Sequence, residues 1–144
     1  MRGLMLYRIA EGTLTLEAEW QDQSINVLIP KQSSVQGVNL VVARDRLPMG
    51  MTFEGYVAQQ RQNFKAQLVG LEMVIDAAGK VDEREAHFLE FSWRSDGKPV
   101  HQLMAMVLLE GGALLNFTGS IPHAEDRSMR DALVSAVTSF RFER

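Results

Sequence analysis

Three histidines, His87, His101 and His123, are the residues of this chain best suited to metal or proton chemistry, and their spacing supports neither. No HxxxH or HExxH pair sets two imidazoles on one helix face. With no cysteine, no thiolate completes a zinc site or serves as a nucleophile. His87 and His101 can meet across a hairpin centred on Asp96-Gly97, as an ordinary polar cross-strand pair. The acidic pairs Asp82-Glu83 and Glu125-Asp126 fall in a turn and at a helix start, where solvent and the helix dipole account for them. Gly111-Gly112 suits a hairpin turn, and no GxSxG elbow, GxGxxG fingerprint or phosphate-binding loop is present. An enzyme acting on an apolar substrate would need a nucleophile and base that no local spacing displays. These residues imply a protein that is not an enzyme and has no metal and no cofactor.

The elements that would carry any site must come from a chain of 144 residues, a length that fits one domain over 1–144. Hydrophobic residues make up 46% and charged residues 23%, a composition that favours a folded chain over a disordered one. The net charge is -3 and the basic residues are scattered, which points away from nucleic acid. The absence of cysteine suits a reducing compartment, and the start "MRGLMLYRIAEG" lacks a signal-peptide core, so the expected location is cytoplasmic. No uninterrupted apolar run approaches the roughly 18 residues that a membrane span needs, so the chain is not expected to span a membrane. Met5 can serve as an alternative start, which would leave Met1 through Leu4 as an extension without structural duty.

Alternation and turn signals predict strands around 14–16, 24–29 and 38–45, the second closed by Pro30 and followed by the loop "KQSSVQG". Phe53, Val57, Gln60 and Phe64 recur at helical intervals behind a capping Thr52 and predict a helix over 52–67. "QLVGLEMVID" and "HFLEFSWR" are strands with a turn at "AAGK", and Asp96-Gly97 predicts the next hairpin. "HQLMAMVLLEGGALLNFTGS" is a strand, turn and strand. Met129, Leu133, Ala136, Val137 and Phe140 form the stripe of a second helix over 125–140. The sum is an α+β fold, an antiparallel sheet of about seven strands backed by two helices. Trp20 is expected to anchor a core or sheet edge rather than stack on a ligand.

These strands carry apolar residues on both faces. Leu89, Phe91 and Trp93 share one face. The other is assigned Phe88, Glu90 and Ser92, together with Gln102, Met104, Met106, Leu108, Leu114, Asn116 and Thr118. Leaving large apolar side chains in water forgoes about 1.5–3 kcal/mol each. Loops, the first strands or a second subunit can cover that face, or it can be a groove for a hydrophobic ligand, in which flexible methionines would accept varied shapes. A module binding a small molecule or lipid on the same apolar face is the alternative.

The segment "LYRIAEGTLTLEAEWQDQSINVLIP", followed by "VNLVVARD", "TFEGYVAQQRQNF" and "ALVSAVTSFRF", resembles the DcrB-like family and, within it, the Eag-type chaperones of bacterial type VI secretion. Glu17 departs from the proline expected after the first strand. The resemblance implies a PsbP-like fold, a homodimer with a concave apolar surface and a client. That client is a type VI secretion effector whose N-terminal transmembrane helices are shielded before it is loaded onto the secretion spike. It also assigns client binding to Ile25, Val27 and Val42. The two-faced strands add Leu40, Met104, Met106 and Leu108, with Gln102 and Asn116 as polar partners for client helix ends. A slip of one residue in register would turn every one of these side chains to the opposite face.

Overall fold

The computed structural model describes residues 3–31, 36–123 and 126–143. The expectations placed on Met1, on Glu125 and on the middle of the loop 31–37 fall outside those residues. Among the described residues the chain forms eight strands in two antiparallel sheets and two α-helices. The strand that the alternation did not predict is β1 (Leu4–Ile9), paired with β2 (Gly12–Glu17) from Leu4↔Glu17 to Ile9↔Gly12. Leu4 thus has a ladder partner, and the Gly3 carbonyl accepts the Ala18 N–H at 3.1 Å, so this stretch is structural rather than an idle extension.

The second sheet contains β3 (Asn26–Leu28), β4 (Asn39–Arg46), β5 (Val69–Val81), β6 (Arg84–Ser95), β7 (Lys98–Leu108) and β8 (Ala113–Ile121), in the spatial order β3-β4-β8-β7-β6-β5. Asp96 and Gly97 take φ values of 52° and 77°, the left-handed pair that a two-residue hairpin requires. The β5–β6 turn falls at Asp82-Glu83, with φ of 45° and 70°, and not at "AAGK". The glycine that suggests a turn there serves a close approach instead. A Cβ on Gly79 would stand 2.5 Å from Phe88 Cε2, so the missing side chain lets the Phe88 ring lie across the strand.

Helix α1 (Phe53–Gln67) begins where the spacing places it, with Thr52 Oγ1 accepting the Gly55 N–H at 3.0 Å. Helix α2 (Arg127–Thr138) is capped by Asp126, whose carboxylate accepts the Met129 N–H at 3.2 Å. The helices lie on opposite faces of the six-stranded sheet. Tyr56 and Val57 of α1 pack with Leu89, Phe91, Met106 and Leu114, whereas Leu133 of α2 packs with Val38 and Ile121. Leu133 comes close because Gly119 beneath it has no side chain: a Cβ there would meet Leu133 Cδ1 at 2.9 Å. Beyond α2, Phe140 and Phe142 continue onto Phe117, with ring centroids 5.2 Å apart for Phe117–Phe140 and 4.8 Å for Phe140–Phe142.

The strand register corrects the assignment of faces. Leu89 pairs with Met104 and Phe91 with Gln102, so the methionines share the face of Leu89 and Phe91 rather than that of Phe88 and Glu90. Antiparallel partners directly opposite one another point the same way, and α1 covers that face. The face holding Phe88, Glu90, Leu103, Ala105 and Phe117 is the one beneath α2. Each face of the sheet therefore has its own helix, and the apolar residues on both faces are explained mainly by packing within the chain.

Candidate functional site

Exposed apolar side chains gather at the β3 edge of the sheet and in the hairpin beside it. Ile25, Val27, Leu28 and Ile29 are 62%, 58%, 56% and 71% exposed, and Leu4, Leu6, Ile9, Leu14 and Trp20 are also exposed. The alternation of β1 and β2 gives the hairpin one apolar face, with Met5 opposite Leu16 and Tyr7 opposite Leu14. Hydrogen bonds attach this hairpin to the segment entering β3. Tyr7 OH donates to Asp22 Oδ2 at 2.8 Å and lies 3.3 Å from Ser24 Oγ, while the Ser24 N–H donates to Asp22 Oδ1 at 2.9 Å. These donors, Ser24 and then Tyr7, hold Asp22 below the usual carboxylate range. Arg44 of β4 bonds Asn26 Oδ1 and the Ser24 carbonyl, tying the same segment to the sheet. Trp20 is 61% exposed, with Nε1 donating at 2.9 Å to the carbonyl of Glu17 at the end of β2, so of the core or sheet-edge position expected for it the core is excluded.

The residues singled out in the sequence separate into three places. Ile25 and Val27 stand exposed at the β3 edge. Leu40 and Val42 lie half-buried on the α2 side, packed against the cluster that holds Leu115 and Phe117. Gln102, Met104, Met106, Leu108 and Asn116 lie on the α1 side, where Met106 is 0% exposed and Met104 and Leu108 border the same core. Gln102 spends both ends of its amide inside the chain. Its Oε1 accepts from Trp93 Nε1 at 2.8 Å and its Nε2 donates to Ser120 Oγ at 3.0 Å. Asn116 Nδ2 donates to Tyr56 OH at 3.0 Å, and Tyr56 OH donates to Asp45 Oδ2 at 2.9 Å. Burial, and then the Asp45 carboxylate, push the Tyr56 hydroxyl up to about 12. The chain itself thus occupies both ends of the Gln102 amide and the Asn116 nitrogen, and among the described residues the buried Asn116 Oδ1 has no hydrogen-bond partner.

Sequence spacing also missed a buried polar chain on the α2 side. Arg130 grips both oxygens of Glu90, Nε to Oε2 at 2.9 Å and Nη2 to Oε1 at 2.7 Å. His101 Nε2 lies 2.6 Å from Glu90 Oε2, and His101 Nδ1 lies 2.6 Å from Ser92 Oγ. Arg130, with help from His101, holds Glu90 below the usual carboxylate range against the opposing effect of burial. The order serine, histidine, carboxylate is that of a hydrolytic triad, but the surroundings differ. His101 is 1% exposed, and Ser92 sits inside β6 between β5 and β7, where the ladders engage the backbone N–H groups that an oxyanion hole would need. The arrangement fastens α2 to the sheet. His87 belongs to a different cluster, 2.6 Å from Asp76 Oδ1, and its register partner is Met106, so the two histidines do not meet. The β6–β7 register and the seating of α2 bring Glu90, His101 and Arg130 together, the β5–β6 pairing brings His87 to Asp76, and no local motif signals either cluster.

Comparison with known proteins places this geometry. The chain is 29% identical over 108 residues, 74% of its length and 74% of the relative's, to the Pseudomonas aeruginosa protein named Effector EagT6. Its structure is similar to the crystal structure of PA94, a protein of unknown function from the same species, with a TM-score of 0.79 at 25% identity over 98% of both chains. The solution structure of PsbP (CyanoP) from Synechocystis shares the fold, with a TM-score of 0.57 at 15% identity over 97% of this chain and 92% of that one. LpqN of Mycobacterium tuberculosis does so as well, at 0.59 and 14% identity over 83% and 84%. The α+β, PsbP-like architecture expected from the sequence is thus the one observed. With the DcrB family matched over residues 11–139, the chain belongs to the DcrB family.

Proposed function

We propose that this protein is a cytoplasmic, non-enzymatic chaperone for a type VI secretion effector. It shields the effector's N-terminal transmembrane helices and aids its loading onto the secretion spike. The similarity to EagT6 supports the system, and the apolar surface of the β1–β2 hairpin and β3 edge supports the task. A transmembrane helix already satisfies its own backbone hydrogen bonds and needs only its apolar sides kept from water. Val27 and Leu28, turned to opposite sides of the β3 edge, and the flanking Ile25 and Ile29 offer apolar surface to such a helix, beside a hairpin whose exposed apolar residues extend it. Among the described residues no helix is long and apolar enough to cross a membrane, so the apolar helices in this reading come from the client.

A two-stranded hairpin is marginal on its own in water, and β1–β2 forms a sheet apart from the main one. In this reading a second copy packs against the hairpin, giving a homodimer whose two β3 edges flank the client. The β3-edge residues carry client binding directly. Leu40 and Val42 support β4 from behind, and the α1-side residues hold the scaffold.

Co-expression with an effector bearing N-terminal transmembrane helices tests the reading. Ile25→Asp and Val27→Asp are expected to lower the recovered complex at least ten-fold while the circular dichroism spectrum and melting temperature stay those of the wild type. Undiminished recovery in both variants overturns the assignment of the surface.

A further inference from the structure

At the opposite end of the sheet from β3, a groove opens between α2 and the outer strands β5 and β6. Helix α2 seats on β7 and β8 through Leu133 and Gly119, so Ile75 and Ala77 of β5 and Phe88 of β6 extend past it. With Leu103, Val134 and Val137 they enclose a cavity of about 310 Å³. That volume lies at the lower end of small-molecule pockets and is about twice the roughly 150 Å³ apolar cavity that takes benzene.

The charges at its wall decide what fits. Glu90 and Arg130 are the ionisable residues of the lining, and they neutralise one another through two hydrogen bonds. The remaining contacts are also taken: His101 bonds Glu90 Oε2, and Arg130 Nη1 reaches Asp131 Oδ1 at 3.2 Å. An ionic head group would find no free counter-charge and would have to break a bidentate pair. Thr138, the hydroxyl of the lining, donates back to the Val134 carbonyl at 2.9 Å.

We propose that this groove binds a small, uncharged apolar molecule about the size of two fused aromatic rings, at a site separate from the client surface. The inference does not rest on the chaperone reading, because β4 separates the β3 edge from β8, β7, β6 and β5, whose residues line the groove.

N-phenyl-1-naphthylamine, a neutral probe that joins such a fused ring pair to one phenyl ring and whose fluorescence rises in apolar surroundings, tests it on the full chain. Saturable binding at one probe per chain is expected. Ala77→Trp, which fills the groove from an exposed position of β5, is expected to weaken it at least ten-fold. Val134→Trp is the second filling variant should the first fail to fold. Ile25→Asp, at the far edge, is expected to leave probe affinity within two-fold. Probe binding that survives both filling variants, or that is lost in Ile25→Asp, overturns the proposal. So does an affinity that falls as protein concentration rises, which would mean that a second copy fills the groove. Client recovery by Ala77→Trp, expected to equal that of the wild type, separates failure of this site from failure of the chaperone reading.

Discussion

Under α1, Leu89, Phe91, Met106 and Leu114 are at most 1% exposed, whereas at the β3 edge Ile25, Val27, Leu28 and Ile29 are more than half exposed. Both sets are apolar residues in or beside strands of one sheet. The difference lies in what is left to cover them. Each face of the central strands has a helix anchored by several apolar contacts, and α2 adds a buried ion pair. The three-residue β3 has a neighbour on one side only and is preceded by a hairpin in a sheet of its own. Burial in the first region sustains the fold, while the second leaves apolar surface in water that the partner of the proposed function would cover.

The sharpest test of that contrast is the buried end of the ion pair. Arg130→Ala leaves the Glu90 carboxylate beneath α2 without its guanidinium, a change that costs about 3–5 kcal/mol in buried pairs. Because the Arg130 side chain is 24% exposed, the lower end of that range is expected in urea denaturation at pH 7. The same cluster predicts a pH dependence. Glu90 titrates below its ordinary value in the folded protein. Its contribution is therefore complete above the unfolded carboxyl value of about 4.3 and is lost as pH falls through the lower folded value. Glu90→Gln is expected to be less stable than the wild type at pH 7, with a gap that narrows below about pH 4. A gap of constant size would remove the carboxylate from the account.

Next in size is the direct comparison of the two apolar regions. Met106→Ala, at a fully buried site, is expected to cost about 2–5 kcal/mol. Val27→Ala, at an exposed one, should change stability by no more than about 0.5 kcal/mol. If Val27→Ala were as destabilising as Met106→Ala, the β3 edge would belong to the core, and the case for a binding surface there would fail.

Local chemistry made much of this molecule legible. Thr52 with the Phe53, Val57 and Phe64 spacing marks α1, Asp96-Gly97 marks a hairpin, and Met129, Leu133 and Val137 mark α2. What escaped was relational. Alternation shows which residues of one strand share a face, but it does not say which face of the next strand they join. That depends on register, here Leu89↔Met104, and a single step reverses the outcome. The same gap hid the Glu90–His101–Arg130 cluster, whose members lie far apart in sequence. Gly79 misled for a different reason: glycine signals both a turn and a close approach, and only the Phe88 ring, reaching it diagonally from the next strand, decides between them. The first strand was legible in principle, since "LMLYRI" and "GTLTLE" flank Ala10-Glu11 as a hairpin pattern.

The smallest expected effect on stability falls on that hairpin, and it separates the two regions most cleanly in time. Tyr7 ties β1 to Asp22 and Ser24 through exposed hydrogen bonds, so Tyr7→Phe should leave the melting temperature within about a degree. Amide exchange should respond instead, because a hairpin that rests on few contacts opens without global unfolding. In the isolated wild-type chain the β1–β2 amides are expected to exchange far faster than those of β6 and β7, and faster still in Tyr7→Phe. If a second copy or a client covers the hairpin, its amides should become protected as that partner is added, while the β6–β7 amides, already flanked by strands on both sides, stay unchanged. Hairpin amides as slow as the central strands in a demonstrated monomer would show that β1–β2 is held from within the chain, and the exposed apolar face would then need no second copy to account for it.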